Sequence, residues 1–123
     1  MFHNIPQYSP RIKPLTFSLL PKVLTAAHCT KGMTPSKIGD HVVSLGAHDQ
    51  TKREPSVQQR RIKRVIRNPL YKPDKDTQAD MALLELDEPV IMTKRVNVPC
   101  MPKEGVYPKL GKQCVIAGLS LDW

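Results

Sequence analysis

Apolar positions fall along this chain in short runs bounded by turn-forming residues, and the runs predict its elements. LTFSLL (15–20), KVLT (22–25), HVVSLG (41–46), VQQRRIKRVIR (57–67), MALLEL (81–86) and QCVIAG (113–118) read as strands of an all-β barrel or sandwich. In MALLEL both alternate faces are apolar, Met81, Leu83 and Glu85 on one side and Ala82, Leu84 and Leu86 on the other, which predicts a strand buried for most of its length. The basic run instead mixes Ile62, Val65 and Ile66 with Arg60, Arg61, Lys63, Arg64 and Arg67, so much of it must keep its charge in water, as an edge or outer strand does. Between the runs, RNPLYKPDKD and LDEPV carry the proline and aspartate of turns. There is no internal repeat and no heptad.

Composition agrees with that pattern. Twelve prolines leave few windows in which a helix of three turns could form. With 123 residues, 40% apolar and 24% charged, the chain suits one domain with a modest core. Met1 to Pro14 is polar and proline-rich and reads as an irregular leader. Pro6, Pro10, Pro14 and Pro21 break any signal-peptide core in the first residues, and no run is long enough for a membrane span.

The net charge of +8 favours polyanionic partners. Only 5% of the residues are aromatic, and no zinc-finger or helix-turn-helix spacing occurs, so nucleic-acid binding is not expected. The candidate polyanion site is the basic strand, Arg60, Arg61, Lys63 and Arg64, with a sulfated glycan or a protease as partner. Cys29, Cys100 and Cys114 cannot all pair within one chain, and none has the C-x-x-C spacing of a zinc or redox site.

Two stretches carry chemistry. VLTAAHC (23–29) sets His28 among small and apolar residues, and ADMALLEL (79–86) opens an apolar strand with Asp80. Imidazole is neutral near pH 7 with one ring nitrogen free to accept a proton, as a general base requires. A carboxylate at the head of an apolar strand is costly to bury unless a partner meets it, and His28 is the expected partner.

These stretches, continued by SLGAHDQ, VQQRRIKRVIRNPLY, VNVPCMP and GKQCVIAG over roughly Ser18 to Gly118, resemble the chymotrypsin-like (trypsin-like) serine proteases. The resemblance implies an all-β fold. Residues 15–112 would form an incomplete first, N-terminal six-stranded antiparallel barrel, and 113–123 would begin a second barrel after the leader 1–14. It also implies that His28 and Asp80 are two members of the triad, with a polypeptide substrate and an extracellular setting. The nucleophilic serine of that family lies in a G-D-S-G-G motif, which these residues do not contain, and Ser120 in GLSLDW lacks that context. Without that serine, the oxyanion hole and the specificity pocket, the chain alone is expected to be an inactive, truncated protease.

By the same resemblance, Leu15 stands where the partner of Cys29 would be, Cys100 would bond upstream of the mature domain or stay free, and Cys114 would pair within the second barrel. A Cys100–Cys114 bridge is the alternative. PRIKPL offers Arg11–Ile12 as a weak match to the family's activation site. Some members bind calcium in a loop like the one after His48, but Ala47 replaces an acidic ligand and Glu54 alone is too few donors. No metal or cofactor is expected. His3, His41 and His48 are read as solvated.

Overall fold

The structure is a computed structural model and describes residues 3–5, 21–49, 51–73 and 79–118. Five strands, β1 (His3–Ile5), β2 (Lys22–Thr25), β3 (Val42–Leu45), β4 (Gln58–Arg67) and β5 (Ala82–Leu86), form one sheet in the order β1-β2-β5-β4-β3. All neighbours are antiparallel, and the sheet curls into a half-barrel. Ala27–Thr30 and Ile38–Asp40 are short 3-10 turns, and no α-helix occurs among the described residues.

The sheet is centred on the strand whose sequence is apolar on both faces. β5 lies between β2 and β4, with Leu84 opposite Val23 on one side and Val65 on the other. Leu84 and Leu86 are fully buried and form the core with Val23, Val43, Leu45, Ile62 and Val96. Glu85 faces the other way, yet it too is buried, because Arg64 Nη2 at 2.8 Å and Lys22 Nζ at 3.9 Å close over its carboxylate. Desolvation alone would raise its pKa; the Arg64 hydrogen bond more than offsets this and holds the carboxyl below its ordinary value.

β4 is long enough to serve two neighbours, β3 along residues 58–61 and β5 along 62–67, and it carries a bulge within the β5 pairing. Ile62 pairs with Leu86, but the next pair is Arg64 with Glu85, so Lys63 is an extra residue on β4. An extra residue bends the strand and shifts its alternation. Before the bulge Arg60 shares the inner face with Ile62, opposite buried Val43, whereas after it Val65 turns inward and Arg64 outward. At the end of β3 the chain turns at Gly46, where φ is +78° and an added Cβ would lie 2.8 Å from Val96 Cγ2. Only glycine lets Val96 approach that closely.

KVLT, HVVSLG, VQQRRIKRVIR and MALLEL are strands as their patterns predict. Three expectations need correction. The basic run is not an edge strand, because β4 lies between β5 and β3, and Arg61, Lys63 and Arg64 are exposed from within the sheet. The leader is not wholly irregular, because His3, Asn4 and Ile5 pair with Leu24, Val23 and Lys22. Sheet pairing uses backbone groups alone, so a polar segment can cover the free edge of β2. QCVIAG is not a strand, and residues 113–118 are exposed. A β-strand persists only with a neighbour to complete its hydrogen bonds, and among the described residues none lies beside this run. LTFSLL, Arg11, Leu15 and Ser120 lie outside the described residues.

Candidate active site

The histidine turn begins where β2 ends. Buried Thr25 closes the strand, Ala26 is still extended, and Ala27–Thr30 wind into one 3-10 turn with Cys29 N–H donating to Ala26 O at 3.2 Å. Small residues at 26 and 27 let this turn lie against the sheet, and Ala27 is buried. Thr30, fully buried, anchors the far side. Its hydroxyl donates to Ala27 O at 2.7 Å and accepts from Arg67 Nε at 2.7 Å, while Arg67 Nη2 donates to Thr30 O at 2.6 Å. Arg67, the last residue of β4, thereby ties the turn to the sheet. The sequence reading missed both roles, since a threonine after His-Cys and an arginine in a basic run carry no distinctive signal.

Asp80 arrives from the opposite direction, just before β5. Asn68 N–H donates to Met81 O at 2.9 Å and Met81 N–H to Ala79 O at 2.7 Å, which gathers the entry to the strand. Ala79 is left-handed, with φ +59°, the one non-glycine residue so placed among the described residues. That conformation is strained for an L-residue with a Cβ and is found here beside the acid.

The two meet in a two-point contact. His28 backbone N–H donates to Asp80 Oδ1 at 2.8 Å, and ring Nδ1 lies 2.5 Å from Asp80 Oδ2. The carboxylate side chain is 15% exposed and the imidazole 64% exposed, so the acid is covered and the base faces solvent. Asp80 is held below the ordinary carboxylate range, first by the hydrogen bond from the His28 ring and then by the His28 backbone N–H. An ionised acceptor at Nδ1 selects the tautomer with the proton there, leaving Nε2 free to accept. On that side Cys29 Sγ is 3.5 Å from Nε2.

The basic strand does not present its four cations together. Arg60 is on the inner face, its Nε donating to Pro89 O at 2.7 Å and lying 3.9 Å from Glu88. Arg64 is paired with Glu85, while Arg61 and Lys63 are exposed and form no ion pair among the described residues. Cys29, Cys100 and Cys114 are all free and exposed. Glu54 Oε2 accepts from the backbone N–H of His48 and Asp49, at 2.7 and 3.3 Å, and Oε1 from Arg95 at 2.7 Å, so its oxygens serve the loop itself. No group of three or more His, Cys, Asp or Glu is placed to hold a metal among the described residues. His48 is exposed and His41 half-buried; the His3 side chain lies outside the description.

Residues 18–123 match the sequence model of the family described as Trypsin. The chain belongs to the trypsin family. Its all-β half-barrel is a fragment of the trypsin-like serine-protease fold, that of a family of proteolytic hydrolases. It is 34% identical over 100 residues to the suppressor of tumorigenicity 14 protein homolog of Bos taurus, covering 78% of this chain and 12% of that protein. With kallikrein 1-related peptidase b11 of Mus musculus the identity is 34% over 106 residues, covering 78% of this chain and 37% of that one. A solved structure titled "Structure of GrC" superposes with a TM-score of 0.61 at 34% identity, over 72% of this chain and 35% of its own. The chain therefore spans well under half the length of these relatives. No described helix is long and apolar enough to cross a membrane.

Proposed function

We propose that this chain carries the general-base half of a trypsin-like endopeptidase site. His28 is the base, Nε2 the proton-accepting atom, and Asp80 the acid that fixes its tautomer and stabilises the imidazolium. The observation that supports this reading is the two-point contact between residues 52 apart in sequence, each in a motif of the family. The family's substrates are polypeptides and its setting extracellular, and both come to this chain by that membership. These 123 residues hold no G-D-S-G-G sequence, and a base with no serine to activate does not cleave peptides. The chain by itself is thus inactive.

Two measurements test this. Proton NMR of the folded chain should show a downfield Nδ1–H resonance of His28 that disappears in Asp80→Asn, while a fluorophosphonate probe leaves the chain unlabelled. Absence of the resonance would defeat the assignment of the pair, and stoichiometric labelling would defeat the claim of inactivity. A second reading, sulfated-glycan binding, is favoured by the exposed outer-face pair Arg61 and Lys63. Salt-dependent retention on heparin that falls in the double variant R61Q/K63Q would support it, and no retention at low ionic strength would overturn it.

A further inference from the structure

The geometry points to Cys29 as a base-assisted thiol, a modification site that reacts selectively with low-molecular-weight disulfides. Of the three free cysteines, Cys29 is the one whose sulfur lies against an imidazole, with Sγ 3.5 Å from His28 Nε2. Cys114 Sγ has a backbone acceptor instead, Lys112 O at 3.8 Å, and a carbonyl cannot take a proton at neutral pH. Nε2 is the unprotonated nitrogen because Asp80 occupies Nδ1 at 2.5 Å. The arrangement is thus a connected row of thiol, imidazole and carboxylate. Both the sulfur and the ring are exposed, so a small reagent can reach the sulfur along the S–S axis that displacement requires. The row needs no serine and stands whether or not the chain hydrolyses peptides.

The step is thiol–disulfide exchange. As Cys29 sulfur attacks one sulfur of a disulfide R–S–S–R′, its proton passes to His28 Nε2; the R–S–S–R′ bond breaks and R′–S⁻ leaves. The imidazolium returns the proton to the departing thiolate, so Cys29–SH and R–S–S–R′ become Cys29–S–S–R and R′–SH. The small disulfide is the oxidant, and the imidazole ends neutral. Asp80 acts as a positioning residue, touching no reacting atom. The adduct then lies over Nε2 and covers the nitrogen that any other proton donor would have to reach.

Oxidised glutathione is the probe. The reduced, folded chain would be incubated with it at neutral pH, quenched at intervals by acid, and the adduct at Cys29, Cys100 and Cys114 quantified by peptide mass mapping. Cys29 should react about tenfold faster than the other two, below the roughly 10²–10⁴ of a fully positioned general base. His28→Ala should bring its rate to within about twofold of theirs, leave theirs unchanged, and regain rate when imidazole is added to the buffer. Asp80→Asn should lower the Cys29 rate less, together with loss of the Nδ1–H resonance. Equal rates at the three cysteines of the folded chain, or an unchanged Cys29 rate in His28→Ala, would overturn the proposal. If His28→Ala loses its fold by circular dichroism, the unaltered chain in urea decides: the lead of Cys29 should collapse there. A lead that survives unfolding would trace to sequence adjacency alone and overturn the role of the folded row.

Discussion

Residues 21–96 and residues 97–118 draw on the same kinds of side chain and end in opposite states. In the first region Val23, Leu84, Leu86 and Val96 are buried almost completely; in the second Val115 is 93% exposed and Ile116 99% exposed, and Val106, Tyr107 and Leu110 are uncovered as well. The difference is not hydrophobicity, since VIAG is as apolar as VVSL. β3 has β4 beside it to complete its backbone hydrogen bonds, and its Val43 and Leu45 meet Ile62 and Val96 across the core. The 113–118 run has no such neighbour among the described residues. An apolar run becomes a strand when a second strand supplies both backbone partners and a face to bury against.

The largest effect should come from removing a side chain in one region and its counterpart in the other. Leu84→Ala empties a fully buried position in the central strand and should cost about 2–5 kcal/mol by urea denaturation. Ile116→Ala should change stability by no more than about 0.5 kcal/mol. A comparable loss from Ile116→Ala would show that the second region is packed in solution.

Glycine gives a sharper contrast at nearly constant backbone geometry. Gly46, Gly105 and Gly111 have φ of +78°, +74° and +78°, but an added Cβ collides at Gly46 and meets nothing within 4 Å at the other two. Gly46→Ala should cost roughly 2–4 kcal/mol, combining left-handed strain with displacement of buried Val96. Gly105→Ala and Gly111→Ala should cost about 1 kcal/mol, the left-handed strain being partly offset by the lower unfolded-state entropy of alanine. Equal losses at Gly46 and Gly105 would mean that strain rather than packing governs the turn after β3.

Acid should act on the first region through Glu54. Its pKa is lowered from 4.5 to about 2, chiefly by the backbone N–H of His48 and then by the side chain of Arg95. A carboxylate with a depressed folded pKa contributes stability that is fully present above pH 4.5 and disappears as pH falls towards 2. Thermal melts between pH 6 and 2.5 should show that decline, and Glu54→Gln should flatten it while lowering the melting temperature at neutral pH. A pH profile identical in the variant would remove Glu54 from the clamp on Arg95.

The smallest effect lies beside the acid of the candidate site. Ala79→Gly relieves the φ of +59° but adds unfolded-state entropy, so the net gain should be about 0.5 kcal/mol. A loss of stability instead would show that the Ala79 methyl is packed rather than strained.

Much of this molecule is written in local sequence. Short apolar runs bounded by turn residues set β2, β3 and β5, a local signal that needs no knowledge of the partner strand. His28 and Asp80 are likewise legible, because an imidazole among small residues and a carboxylate at the head of an apolar strand are conspicuous wherever the chain goes. What the local sequence leaves open is which groups meet. The bulge at Lys63 puts Arg60 on one face and Arg64 on the other, and it exists only in the register that β4 takes against β5. The Arg67 bonds to Thr30 and the pairing of His3–Ile5 with β2 join residues distant in sequence through groups that nearly every chain possesses. Asp80 reaches His28 because β2 and β5 are adjacent and antiparallel, with Thr25 opposite Ala82. That adjacency, a property of the assembled sheet, turns two motifs 52 residues apart into one candidate site.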